Sequence, residues 1–204
     1  MDLELVISKL HLYPGAQANL CGPTAIALLQ TKAQGLTPEI LDCRLRLAVA
    51  NFWPAEPVPG LQQDLKAYSW PRAFLVRPPY DGLAAWFVAL VVALQRLARD
   101  AVWGGQVLTV GQETYRLAIP WQREVVLKGA VRLARLWITH WLKTPVLEPT
   151  EIMKQTARWL EQVQHQGLSP NSLRFAIAAW QRGIAATRMP VCGVVQLGWG
   201  AAAR

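Results

Sequence analysis

The chain is short of the residues from which metal sites and disulfide frameworks are built. It has only three cysteines, Cys21, Cys43 and Cys192, with wide spacing and no C-x-x-C pair. This usage argues against a disulfide framework and a zinc site, and it fits a reducing cytoplasm. The three histidines never stand at metal-ligand spacing, so the sequence predicts no metal site.

Long apolar runs and targeting segments are also lacking. The longest apolar run covers residues 83 to 94, well short of the about 20 residues that cross a bilayer. The first ten residues have no basic region ahead of an apolar stretch, so no signal peptide is predicted. Charged residues make up only 17% and hydrophobic residues 52%, which predicts a sizeable core. The ten tryptophans are expected mainly as core anchors, and the rest remain available for a contact surface.

The sequence contains no complete nucleotide-binding motif. No P-loop is present, and the tail offers only Gly198-x-Gly200-x-x-Ala203. That variant of the dinucleotide fingerprint needs a following helix to receive the pyrophosphate, and Arg204 is the last residue, so no Rossmann site is expected. The net charge of +8 favours an acidic partner such as nucleic acid, anionic lipid or a polyacidic substrate.

Hydrophobic patterning predicts an α/β (α+β) chain with a small mixed sheet packed by helices. Strands are expected at residues 3–13, 43–53, 106–110, 114–121 and 191–200. Helices are expected at 23–34, 61–70, 82–100, 123–143, within 150–167 and within 168–184. Prolines near residues 144 to 150 divide the chain into a main domain, 1–145, and a helical connector with a final strand, 146–204.

The helix predicted over residues 123–143 carries the clearest physical signal for binding. Lys128, Arg132 and Arg135 stand at i, i+4 and i+7, so they share one face. Arg123 and Lys143 are expected to extend this positive face. Three interpretations stay open: a solvated polar face, a groove for a polyanion, and a helix that lies on a membrane surface.

The C-terminal segment resembles a specific junction in cyanophycin synthetases and their relatives. In those enzymes a helix that ends in an Arg-Gly-Ile sequence is followed by a short strand and then by a Q-L-G-[YW]-G strand. Ser169 to Ser172 match the start of that helix, and Gln181 to Ile184 match its end. The second strand is matched by Gln196, Leu197, Gly198, Trp199 and Gly200.

The resemblance implies that the chain is the N-terminal domain of an ATP-grasp ligase and stops where the catalytic domain would begin. ATP and magnesium are then expected only in the missing ATP-grasp domain, and no cofactor in this chain. Some members carry a metallopeptidase motif in a buried helix. Aligned on Gln95, its two His and its Glu fall on Ala85, Ala89 and Val88, which cannot hold zinc or move a proton.

The sequence therefore leaves three alternative functions open. The first is a non-catalytic domain of a cyanophycin synthetase-like ligase that holds an acidic or amphoteric peptide through Lys128, Arg132 and Arg135 and docks on the ATP-grasp domain. The second is a stand-alone interaction subunit that completes a split ligase. The third is a basic nucleic-acid-binding domain. A homo-oligomer is also left open, and a cytoplasmic location is expected.

Overall fold

The computed structural model describes residues 3–15, 18, 20, 22–33, 37–52, 82–110, 113–143, 150–182, 184, 186–189 and 194–198. The helix expected at 61–70 lies outside these residues. The described elements are β1 (Leu3–Tyr13), β2 (Thr24–Ala33), α1 (Pro38–Phe52), α2 (Leu83–Leu97), β3 (Gln106–Val110), β4 (Thr114–Pro120), α3 (Glu124–Lys143), α4 (Thr150–Gln164), α5 (Pro170–Gln181), β5 (Ala186–Arg188) and β6 (Val195–Leu197). The expected α/β class is confirmed.

Four strands form one sheet in the order β1-β2-β4-β3, and β5 pairs with β6 in a separate hairpin. Every pairing among the described strands is antiparallel, so the sheet is not mixed in strand direction. The register places Leu29 beside Ile7 on one side and Tyr115 on the other. Irregularities between Ile7 and Lys9, and between Val107 and Thr109, fall on the two outer strands, where β-bulges are common.

Residues 24–33 form a strand, and the prediction of a helix at 23–34 is wrong. Pro23 and Gly35 are placed like helix boundaries, but burial alternates along the segment: Ala27, Leu29 and Thr31 are buried, whereas Gln30 and Lys32 are exposed. This period of two is that of a strand with one covered face. Because β2 pairs with β1 and with β4, hydrogen bonds on both edges outweigh the helix propensity of its alanines and leucines.

Residues 38–52 form helix α1, and the prediction of a strand at 43–53 is wrong. The buried residues Leu41, Leu45 and Ala48 lie on one face at helical spacing. Thr37 caps the first turn, since its Oγ1 accepts a hydrogen bond from the Ile40 N–H at 3.4 Å. The alternation of arginine and leucine between residues 44 and 47 resembled a strand only over a short window.

Helix α2 lies at the centre of the main core, between the sheet and helix α3. Its side chains are buried on nearly every side, including Trp86 and Phe87. Trp137 and Trp141 of α3 are also fully buried, with ring centroids 4.9 Å apart. These rings confirm the core role expected for part of the tryptophans. None of the described helices combines the length and hydropathy of a membrane-spanning helix.

The C-terminal part of the chain contributes to two cores. Helix α4 packs on α3 through Trp159 and Leu160, which belong to the main core. Helix α5 and the β5–β6 hairpin instead surround a smaller core of Ala101, Leu168, Leu173, Ala176 and Ile177. The predicted division after residue 145 stays a prediction, and the change of core falls later, around Leu168.

Candidate functional site

The basic residues singled out from the sequence lie together on the exposed face of helix α3. The opposite face of this helix is buried in the main core, with Leu127, Ala134 and Trp137 fully enclosed. Lys128, Arg132 and Arg135 are exposed, and we call these three residues the basic stripe. The structure therefore gives them a common exposed face, while their role in binding stays a prediction.

The three charges of the basic stripe are not equivalent. Lys128 Nζ lies 2.5 Å from Glu124 Oε1, and the side chains are 61% and 53% exposed. This i, i+4 ion pair offsets the positive charge at the N-terminal end of the stripe. Arg132 and Arg135 form no ion pair or hydrogen bond with any residue that the structure describes. Within the basic stripe, Arg132 and Arg135 are therefore the cations most available to an anionic ligand.

Arg123 does not extend the basic stripe, which corrects the sequence-based expectation. Its side chain is only 11% exposed, and its Nε lies 2.6 Å from Oδ1 of the fully buried Asp100. Its Nη1 donates to the Val163 carbonyl at 2.7 Å, and its Nη2 donates to the Ala98 carbonyl at 2.6 Å. One guanidinium thus joins the end of α2, the start of α3 and the end of α4. Lys143, by contrast, is exposed as expected.

The backbone at the end of helix α2 directs Asp100 into the interior. The Arg99 N–H donates to the Arg96 carbonyl at 2.8 Å, and the Asp100 N–H donates to the Gln95 carbonyl at 3.0 Å. These two bonds and the positive φ of 65° at Arg99 define a Schellman motif. The motif usually has glycine at this left-handed position. Because Arg99 stands there instead, the sequence gives no glycine signal for this helix end.

Burial dominates the electrostatics of Asp100. Loss of hydration raises the pKa of its carboxyl group from 3.8 to about 6, although the charges of Arg123 and Arg188 act in the opposite direction. Oδ2 of Asp100 is buried and has no hydrogen-bond partner among the described residues. Nη1 of Arg188, on strand β5, is buried and without a partner in the same way.

A second, half-buried arginine lies near the end of α2. Arg96 Nε donates to the Val102 carbonyl at 2.8 Å, and the guanidinium carbon lies 5.7 Å from the centre of the Trp103 ring. Burial lowers the pKa of Arg96 to about 10, so it is still cationic at neutral pH. The end of α2 therefore carries two arginine contacts, Arg96 with Val102 and Trp103 and Arg123 with Asp100, a feature that the sequence analysis did not identify.

The junction motif, the five residues from Gln196 to Gly200 that match the ligase junction, lies on the C-terminal hairpin as far as the structure describes it. Gln196 and Leu197 belong to β6 and pair with Thr187 and Ala186 of β5. Gly198 follows with a φ of 82°, a left-handed conformation that favours glycine. Trp199 and Gly200 lie outside the described residues. The expected strand at 191–200 is described only for Val195–Leu197.

The helix that precedes the hairpin begins as predicted. Oγ of Ser169 accepts a hydrogen bond from the Ser172 N–H at 3.1 Å, which is the geometry of an N-cap. Pro170 then occupies the first helical position of α5, where its missing N–H leaves no bond unmade.

The positions aligned with the family's metallopeptidase motif lie on α2 and carry no metal-binding side chain. Val88 is buried, and Ala85 and Ala89 are half-buried. The Gly105 backbone approaches Val88 so closely that a Cβ at position 105 would lie 2.5 Å from Val88 Cγ1. Within the described ranges, no three or more His, Cys, Asp or Glu side chains come together in a metal-binding group.

Comparison with known proteins gives no assignment, because no protein-family model matches the chain and no curated protein matches it.

Proposed function

We propose that this chain is a non-catalytic binding and docking domain of a cyanophycin synthetase-like, ATP-dependent carboxylate–amine ligase. In this proposal the basic stripe retains an acidic or amphoteric peptide, and the C-terminal hairpin leads to the ATP-grasp domain, where ATP and magnesium bind. Weak binding suffices for this role, because a tethered polymer has a raised effective concentration at the catalytic domain. The proposal includes a cytoplasmic location.

The observation that carries the proposal is the exposure of Arg132 and Arg135, without partners among the described residues, on a helix whose other face is anchored in the core. Two residues separated by three positions on a helix lie about 4.5 Å apart along its axis, close enough for both guanidinium groups to contact adjacent carboxylates. Guanidinium groups can each form two hydrogen bonds to a carboxylate. The resemblance of residues 168–204 to the ligase junction adds the class of enzyme.

The first experiment measures binding of a fluorescent oligoaspartate by anisotropy at two salt concentrations. We expect Arg132→Glu combined with Arg135→Glu to weaken binding by about tenfold at low salt, and by less at high salt because exposed charges are screened. The control is Lys154→Glu combined with Arg158→Glu on α4, two exposed residues whose reversal changes the net charge equally. Equal weakening by both pairs, or no binding by the unmodified chain, would contradict the proposal.

A second arm of this experiment uses the ion pair at the end of the stripe. Glu124→Gln removes the partner of Lys128, so oligoaspartate binding should strengthen by about two- to fivefold, in keeping with the small energy of an exposed pair. Glu161→Gln on α4 is the control, because Glu161 is equally exposed to solvent on another helix. A labelled single-stranded DNA of matched charge tests the nucleic-acid alternative, and tighter binding of the DNA would favour it.

A stand-alone subunit that completes a split ligase is the second candidate. It is supported by apolar side chains exposed on the C-terminal elements, namely Phe175 at 70%, Ile184 at 42% and Val194 at 47%, since exposed apolar groups often mark contact surfaces. The DNA downstream decides between the two: a glycine-rich ATP-grasp sequence in phase supports the domain, and one in a neighbouring frame supports the subunit. ATP hydrolysis by this chain alone would contradict both.

A further inference from the structure

The C-terminal unit, residues 168–198 as described, rests on a small apolar contact with the rest of the protein. Its core is formed by Leu168, Leu173, Ala176 and Ile177, and from the other described parts of the chain only Ala101 and the half-buried Trp103 join it. The β5–β6 hairpin adds Ala186 and Val195. The described strands of the hairpin are three residues long, and because so short a two-stranded unit is marginal by itself, a further interaction at this place would help to fix it.

A polar interaction is available at the same place. Asp100 directly precedes Ala101, and Arg188 follows Ala186 by two residues on β5, so the apolar contact brings both side chains to this junction. Asp100 is fully buried and uses Oδ1 for Arg123, while its Oδ2 has no partner among the described residues. Nη1 of Arg188 is buried and lacks a partner within the same described ranges.

Asp100 and Arg188 form no hydrogen bond or ion pair with each other in the structure, but the two orphaned groups are complementary in charge. An unsatisfied buried donor or acceptor is unfavourable, and an unsatisfied charged group more so. The charge of Arg188 acts on Asp100 and favours its ionised form, as the charge of Arg123 does. Nε of Arg99 is also buried without a partner among the described residues, but the charge that acts on Asp100 from the hairpin is that of Arg188.

We propose that Asp100 serves two arginines, with Arg123 holding the carboxylate inside the helical body and Arg188 using it to position the β5–β6 hairpin. Arg188 is then a positioning residue. The hairpin, including Gln196 and Leu197 of the junction motif, has a fixed orientation relative to α2, α3 and α4 and is no free connector. This inference does not depend on the binding of any peptide, and it holds or fails separately from the proposed function.

The test is hydrogen–deuterium exchange of the full chain at neutral pH. We expect Arg188→Gln to accelerate exchange of the hairpin amides about tenfold, because local opening of the hairpin becomes easier. A sensitive reporter is the Met189 N–H, which donates to the Val194 carbonyl at 3.0 Å. Amides in the centre of α2 and β2 should exchange as before. Arg182→Gln is the matched control, since Arg182 is exposed and its side chain bonds, among the described residues, only to the Ala178 carbonyl of the preceding helix.

Two further variants separate an electrostatic contact from general packing. Arg188→Lys keeps the charge and should restore at least half of the lost protection on a logarithmic scale. In an Asp100→Asn background, Arg188→Gln should add no further acceleration, because the partner has already gone. The proposal is overturned if Arg188→Gln behaves like Arg182→Gln, if lysine restores nothing, or if the effects of the Asp100 and Arg188 substitutions simply add. If Asp100→Asn does not fold, the three arginine variants alone decide.

Discussion

The pH dependence of stability offers the most direct test of the environment assigned to Asp100. Its pKa is about 6 in the folded chain, against an ordinary value of 3.8, because burial disfavours the charged carboxylate. The folded state therefore holds this proton more tightly than the unfolded state. The resulting stabilisation is fully present below pH 3.8 and is lost as the pH rises through about 6.

The magnitude follows from the size of the shift. The pKa is raised by about two units, and each unit corresponds to about 1.4 kcal/mol. Because the unfolded group is already more than half ionised at pH 4, this group lowers the free energy of unfolding by ~2 kcal/mol between pH 4 and pH 7. Other carboxyl groups and histidines titrate in the same range. They cancel when the unmodified chain is compared with Asp100→Asn, which has no titrating group at this site.

Urea denaturation of both proteins across this pH range measures the effect. The stability of the unmodified chain minus that of Asp100→Asn should fall by ~2 kcal/mol as the pH rises from 4 to 7. A constant difference would show that the pKa is not shifted. A difference that grows with pH would show that the charges of Arg123 and Arg188 outweigh burial. An NMR titration of the Asp100 carboxyl carbon gives the same answer in the unmodified chain if the variant does not fold.

Two further substitutions test local packing and capping. Gly129→Ala should destabilise the protein by about 1 to 3 kcal/mol despite the higher helix propensity of alanine, because the new Cβ would lie 2.1 Å from Trp159 Nε1. Thermal denaturation measures this loss, and Trp159→Phe in the same chain should reduce it; a neutral Gly129→Ala would refute the close approach. Ser169→Ala should cost about 1 kcal/mol through loss of the bond to the Ser172 N–H, with Ser169→Asp as the variant that retains the cap.

Some elements of the fold could be predicted because their signals are local. Helix α2 follows from a continuous apolar run, and helix α3 from an apolar stripe beside a basic one. Strands β3 and β4 follow from two strand-like segments that are separated in the sequence by the predicted turn. For the same reason the common face of Lys128, Arg132 and Arg135 was predictable, since residues at i, i+4 and i+7 share a face in any helix.

The two wrong assignments have different causes. In β2, the decisive interactions are backbone hydrogen bonds to strands far away in the sequence, which no local pattern records. In α1, a local helix signal competes with the strand-like alternation: Thr37 and Pro38 form a helix start, and Leu41, Leu45 and Ala48 keep helical spacing. The alternation read from residue 43 onward covered too few residues to distinguish the two periods.

The sequence by itself determined the class of fold, most of the helices and the existence of an exposed basic helix face, because each depends on residues within a few turns of one another. Only the tertiary structure decided which arginines are available to a ligand. Arg123 and Arg132 both belong to the segment predicted as a basic helix, yet Arg123 is enclosed with Asp100 and Arg132 is exposed. The difference arises because the helix end at Arg99 and the packing of α4 bring a buried carboxylate and backbone carbonyls to Arg123, across 23 to 40 residues of chain.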